Sequence, residues 1–180
     1  TLSFSALLFA GATYLASERH VGDLHAGAPE LRAEARYNQD ITELTKRYNV
    51  TTDVLVVIAE VGAAVGINPC RSDDVMAAQD NLHWYLENIK GVTKVISLSS
   101  VAKRALSGYA EGNLKWSYLP RNERALAFAT SVVDPSTGLI NEACSIMPIY
   151  VFTEDHKATT ISYLIEVLEE YNQKFRDLEE

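Results

Sequence analysis

The chain has no run of Lys and Arg, and its Asp and Glu outnumber its Lys and Arg by 24 to 16, a net charge of −8. Nucleic-acid binding needs a clustered basic face, so nucleic acid is excluded as a partner, and an anionic lipid surface is disfavoured for the folded part. A phosphate-cradling loop is missing too: "GAAVG" (residues 62–66) has neither the lysine nor the spacing of one. His20, His25 and His83 fall in no H-E-x-x-H or paired-cysteine pattern. No metal site and no cofactor is therefore expected. Nor is there a G-x-S-x-G nucleophile turn. Asp155 and His156 are adjacent at what reads as a helix start, so their side chains diverge. A triad needs its carboxylate to orient the imidazole from across a fold. The pair reads as a helix cap, and the chain as a non-enzyme.

Cysteine is scarce as well: Cys70 and Cys144 are the only two, too few to read a compartment from count alone. What is present is ordinary for a globular protein, with 47% apolar and 22% charged residues. A length of 180 residues suits one domain or two small subdomains with a substantial core. The opening "TLSFSALLFAGATYLA" (residues 1–16) is uncharged and apolar. It falls short of the roughly 20 residues that span a bilayer, and it lacks the basic flank of a signal peptide. Two readings stand: the end of a transmembrane helix within residues 1–20, or an amphipathic or core helix.

Residues 21–52 read as a linker loop, "GDLHAGAPEL", followed by an amphipathic helix with Tyr37, Ile41, Leu44 and Tyr48 on one face. "DVLVVIAEV" (residues 53–61) is a β-branched run that predicts a strand buried on both faces. Ser72 suits the N-cap of a helix through "DDVMAAQDNLHWYLENI", with Gly91 closing it. "VTKVISLSS" (residues 92–100) predicts a second strand and "SIMPIYVF" a third. Pro148 in the latter favours an edge or bulge, because it lacks a ladder donor. Thr153 is the expected cap of a last helix lined by Ile161, Leu164, Ile165 and Leu168.

The fold class is therefore α+β. Residues 53–100 and 144–180 would form a ferredoxin-like (βαββαβ-type) subdomain, and residues 101–143 a mostly helical insertion between strands two and three. A fourth strand is not visible; either the N-terminal segment supplies it or it lies past residue 180. In this topology the third strand runs antiparallel beside the first. The end of strand one and the start of strand three then meet at one edge, which brings Cys70 to Cys144. A disulfide is predicted there, and it would require an oxidising compartment. Two buried free thiols are the other reading.

Aromatic residues concentrate in the first helix of this unit and in the insertion. Trp84, Tyr85, Tyr109, Trp116, Tyr118 and Phe128, with Met76 and Met147, are the candidate lining of an apolar cleft for a hydrophobic ligand. Plain core packing is the competing reading for each of them.

With these residues in place a resemblance is visible. "VGDLHAGAPELRAEARYNQD", "CRSDDVMAAQDNLHWYLENIKGVTKVISLSSVAKRALSGYAEGNLKWSYLPRN" and "STGLINEACSIMPIYVFTEDHKATTI" resemble periplasmic segments of RND-superfamily exporters, in the MMPL-like branch that exports hydrophobes and lipids. The similarity covers roughly residues 21–170, and the "GAPELR…RYN" and "MPIYVFTEDHKA" blocks are fairly specific to it. The resemblance implies a domain on the periplasmic side of a bacterial inner membrane, joined to the membrane helices of a proton-driven transporter. It implies porter subdomains of ferredoxin-like fold, a hydrophobic lipid as cargo (a sterol or hopanoid favoured), and a possible periplasmic carrier protein as partner. Proton-relay carboxylates of such transporters lie inside membrane helices, so no catalytic residue carries over to this sequence.

Overall fold

The structure, a computed structural model, describes residues 2–17, 32, 34–48, 53–61 and 68–179. The loop expected at residues 22–31 lies outside them. Contacts divide the chain into two units, Thr1–Glu43 with Asp155–Glu180, and Leu44–Glu154.

The first unit contains α1 (Leu2–Ser17) and α6 (Ala158–Glu179), and α2 (Arg36–Tyr48) begins in it. α1 carries no charged residue, and its side chains from Phe4 to Ala16 are all exposed. In α2 the expected apolar stripe forms but stays uncovered, with Tyr37, Leu44 and Tyr48 exposed. On α6, Leu164 is buried and Ile161 and Leu168 are half-buried, whereas Ile165 is exposed and leaves the expected stripe. Thr153 does not cap α6. It ends the preceding strand, its N–H bonded to the Asp53 carbonyl at 3.0 Å. Asp155 instead braces the entry to α6: its carboxylate accepts from the Lys157 N–H at 3.3 Å, just ahead of the helix, and from the Thr160 hydroxyl in its first turn.

The second unit is built on a three-stranded sheet of β1 (Val54–Glu60), β2 (Val92–Ile96) and β3 (Ile146–Thr153), in the order β1-β3-β2. Both pairings are antiparallel. α3 (Asp73–Glu87) links β1 to β2, and α4 (Leu98–Tyr109) and α5 (Glu123–Thr130) lie between β2 and β3. No described residue up to 48 lies in a strand, so none of them adds to this sheet.

Four local expectations are corrected. β1 is an edge strand, not one buried on both faces; Val54, Val56 and Ile58 are 42%, 45% and 60% exposed. The second strand ends at Ile96 rather than at residue 100, because Ser97 caps α4. Its hydroxyl accepts from the Ser100 N–H while the Ser100 hydroxyl takes the Ser97 N–H, a reciprocal capping box. Pro148 sits in the central strand, opposite Ile58. β2 reaches only Tyr150, so β3 has one neighbour beside Pro148 and the missing donor is tolerated. α3 itself stops at Glu87 with Asn88 as C-cap, and Gly91, at φ 88°, turns the chain into β2.

On β3 the odd positions Met147, Ile149, Val151 and Thr153 are buried. A core of Met76, Leu98, Ala102, Leu126, Ala129, Leu139 and Met147 encloses Cys70 and Cys144. Those two cysteines form a disulfide, with their Cα atoms 5.7 Å apart. The antiparallel register explains it: Glu60 pairs with Ile146, and the Val61 N–H bonds the Ser145 carbonyl at 2.9 Å. The end of β1 and the start of β3 therefore share one rim.

Candidate functional site

The insertion presents an aromatic surface that local chain chemistry forces outward. α4 ends in a turn whose residues Glu111 and Gly112 both have positive φ, 57° and 80°. Such a pair reverses the chain within two residues, which Gly112 tolerates without cost. The Gly112 N–H closes the turn on the Ser107 carbonyl at 2.8 Å. Asn113 then caps a 3-10 turn, Leu114–Trp116, through its side-chain oxygen on the Lys115 N–H at 3.0 Å. The segment has no room to bury its apolar residues: Leu114 is 84% exposed, and Trp116 and Tyr118 about half. Trp116 and Tyr118 rest against one another, ring centres 6.3 Å apart.

α5 starts at Asn122, whose side chain accepts from the N–H groups of Arg124 and Ala125. Leu126, Ala129 and Thr130 face the core, which turns Phe128 outward. There it packs on Tyr109 at the end of α4, with centroids 4.6 Å apart and planes tilted by 39°. Four of the predicted ligand residues, Tyr109, Trp116, Tyr118 and Phe128, are thus exposed as two ring pairs on the insertion. Trp84 is on α3 and 67% exposed, and Tyr85 beside it is half-buried. Met76 and Met147 are in the core, as their packing reading had it.

A cleft of about 480 Å³ lies between α3 and residues 119–121. Met76 reaches its wall, but Asp73, Asp74, Asp80, Asn81 and Arg121 supply most of the rest. Its lining is too polar for a hydrocarbon ligand. The ring pairs offer a different chemistry: flat apolar area, with the Trp116 N–H and the Tyr hydroxyls as polar handles.

One polar cluster had no sequence signal beyond its residue types. The His83 Nδ1 lies 2.9 Å from the Ser97 hydroxyl, which lies 2.8 Å from the Ser99 hydroxyl. Gln79 accepts the Ser99 N–H at 3.0 Å. On the far side of the ring, Nε2 is 3.8 Å from the Glu87 carboxylate. A consistent assignment has neutral His83 accepting from Ser97, while Ser97 accepts from Ser99 and from the Ser100 N–H. Desolvation lowers the His83 pKa below its usual value, outweighing the upward pull of Glu87 and Asp80; Lys103 and Arg104 lower it further. Serine, histidine and glutamate in a row resemble a relay, yet Ser97 has 0% exposure, so no acyl group can reach it. The cluster locks α3 to α4, reinforced by the Lys103–Asp80 ion pair at 2.6 Å.

Asp155 is engaged by Lys157, whose Nζ is 2.8 Å away, as well as by Thr160. Partial burial pushes its pKa up, but the bonds from Lys157 and Thr160 hold it below the ordinary carboxylate value. These bonds brace the chain where it enters α6. Among the described residues no group of three His, Cys, Asp or Glu side chains could hold a metal ion, and no helix is long and apolar enough to cross a membrane. Comparison with protein-family models, curated proteins and solved structures finds no match to this chain.

Proposed function

We propose that this chain is a periplasmic domain of an RND-type inner-membrane transporter that binds or guides a hydrophobic lipid, a sterol or hopanoid favoured, during export. The observation that carries this reading is the two exposed ring pairs of the insertion, Tyr109 with Phe128 and Trp116 with Tyr118. Two further features support it. α1 exposes apolar side chains on all sides, as a helix surrounded by lipid does. The Cys70–Cys144 disulfide fits an oxidising compartment. The fold is read as ferredoxin-like, supported by a β1-α3-β2 unit with β3 antiparallel between its strands, the order of three strands of a βαββαβ unit.

The magnitudes are compatible with weak capture. A fully buried aromatic ring contributes 150–250 Å², so covering four half-exposed rings removes on the order of 300–500 Å² from water. At roughly 25 cal/mol/Å² that is about 7–12 kcal/mol gross, of which association entropy takes a large share. A dissociation constant of about 100 μM corresponds to roughly −5.5 kcal/mol. Titration of the chain with sterols, hopanoids and fatty acids, followed by Trp fluorescence, is expected to give saturable binding tighter than that. The Trp116→Ala/Phe128→Ala variant is expected to lose it. Failure of every lipid to bind below about 100 μM overturns the reading.

A second reading has its own support: the rings form an open surface rather than an enclosed pocket, and protein partners use such surfaces. On that reading the domain docks a carrier protein and touches no substrate. Co-purification with a periplasmic partner, abolished by the same double variant and without lipid binding, is its signature.

A further inference from the structure

The turn that follows α4 carries an inference that goes beyond capture of a single lipid. Residues 111–118 are exposed without a break, and Leu114 is the most exposed large apolar side chain among the described residues. The stretch is nevertheless tightly bonded to itself. The N–H groups of residues 110–113 donate to carbonyls of residues 106–110. Those of Lys115 and Trp116 donate to the side-chain and backbone oxygens of Asn113, and that of Ser117 to the Leu114 carbonyl. The Ser107 hydroxyl also donates to the Asn113 carbonyl, at 3.3 Å. Water or a partner chain can satisfy an open amide, but hydrocarbon cannot, so a segment that enters lipid must arrive with its backbone already paired. This one does.

Its side chains suit the same environment. Trp and Tyr concentrate at the membrane–water boundary, where the ring sits in apolar surroundings and the N–H or O–H stays wet. Lys115, between Leu114 and Trp116, has an apolar stem long enough to keep its ammonium among headgroups. Glu111 and Lys115 are the only charges in residues 111–118, so the segment is neutral on a chain of net charge −8. The acidity that disfavours an anionic surface is carried elsewhere.

We propose that residues 112–118 dip into the interface of a lipid bilayer, Leu114 and Trp116 entering the upper acyl chains while Lys115 and Tyr118 stay at the headgroups. The contact is apolar insertion rather than attraction between charges, so zwitterionic lipid suffices and salt has little effect. On the lipid-handling reading it brings the ring pairs to the surface from which a lipid would be drawn, but the insertion does not require that reading.

Trp116 is one of two tryptophans, so Trp84→Phe leaves it as the single reporter in the full chain. The probe is phosphatidylcholine vesicles with and without bromine on the upper acyl chains. Brominated vesicles are expected to quench Trp116 roughly twofold or more, to the same extent at low and high salt. Leu114→Asp, at a solvent-facing position, is expected to abolish the quenching with the near-UV circular dichroism of the fold unchanged. Chains that sediment with vesicles while Trp116 stays unquenched are held through another surface, α1 being the obvious one, and overturn the proposal. So does quenching indifferent to Leu114→Asp, or no association with vesicles at all. Failure of the lipid-capture reading looks different. Quenching by vesicles without binding of any dissolved sterol, hopanoid or fatty acid overturns that reading and supports this one.

Discussion

The disulfide offers the most quantitative test of the fold. Cys70 and Cys144 are 74 residues apart in sequence, and the loop they close holds α3, β2, α4 and α5. In the chain-entropy model a loop of that length restricts the unfolded state by about 15 cal/mol/K, or about 4.4 kcal/mol at 25 °C. The sulfurs are also packed in the core, so replacing them would mix loss of the cross-link with loss of packing. Reduction avoids that: both sulfurs remain and only the bond between them goes. The chain should be reduced in denaturant, refolded under a thiol reductant and melted beside the oxidised form. For a protein of this size each kcal/mol moves Tm by roughly 2–4 °C, so the expected fall is about 9–18 °C. A Cys70→Ala/Cys144→Ala variant should melt at the same temperature with and without reductant. If reduction moves Tm of the wild type by less than about 4 °C, the bond is not constraining that loop, and the pairing at the β1–β3 rim is wrong.

The remaining predictions follow from single sites. Burial lowers the pKa of His83 in the fold from its usual value near 6.5, so the unfolded chain takes up its proton first as pH falls. The stability associated with neutral His83 is present above about pH 6.5 and is lost as pH falls through the folded value. The imidazole should titrate by NMR with a midpoint below 6.5, and a midpoint at or above 6.5 counts against the buried cluster. Ser97→Ala removes an N-cap and strands His83 and Ser99 in the core, at a cost of about 2–4 kcal/mol in urea unfolding; a cost below 1 kcal/mol contradicts the bonding scheme. Gly138→Ala places a side chain at φ 75°, with its Cβ 2.8 Å from the Tyr150 hydroxyl. It should destabilise by about 1–3 kcal/mol, and an unchanged unfolding midpoint refutes the constraint. Asp155→Asn should weaken the bracing of the entry to α6 and remove the acid-side stability loss tied to the depressed Asp155 pKa; an unchanged acid limb of the stability profile counts against it.

Strand order was legible because it depends on non-local sequence features that survive in one chain: β-branched runs, a helix between the first two, and a cysteine past strand one matched by another before strand three. The features that escaped were those decided by competition between neighbours. "VISLSS" has strand-like residues throughout, but the serine at 97 finds a better arrangement as a reciprocal cap than as a ladder position, so β2 stops there. Thr153 and Asp155 were both plausible caps. Thr153 was taken by pairing with Asp53, which left Asp155 to brace the entry to α6. The aromatic set could be selected by type and position, but residue types alone do not say which rings meet. Phe128 meets Tyr109 because Leu126 and Ala129 claim the core side of α5. The His83–Ser97–Ser99 cluster joins residues 14 and 2 positions apart through tertiary packing, with no motif to reveal it.

The same contacts explain why the aromatic surface is held firmly enough to act as a recognition surface. The insertion is closed at its base by the disulfide, and it is tied again where the Tyr150 hydroxyl donates to the Gly138 carbonyl at 3.1 Å. Asn141 adds a third tie, its carbonyl oxygen accepting the Ile146 N–H and its amide donating to the Ser145 hydroxyl. At the other end, the His83 cluster and the Asp80–Lys103 pair fix α4 against α3. Exposed rings on a loose loop would lose their contact energy to ordering on binding, at about 0.5–1.5 kcal/mol per side chain. The Tyr109 and Phe128 rings, mounted on α4 and α5, which pack on each other and on the disulfide-bearing turn at Cys70, have met part of that cost in folding. Loosening the base by reducing the disulfide should therefore weaken hydrophobe binding even though no cysteine touches the rings. An affinity unchanged by reduction, in a chain that remains folded, would mean that the surface does not depend on its mounting.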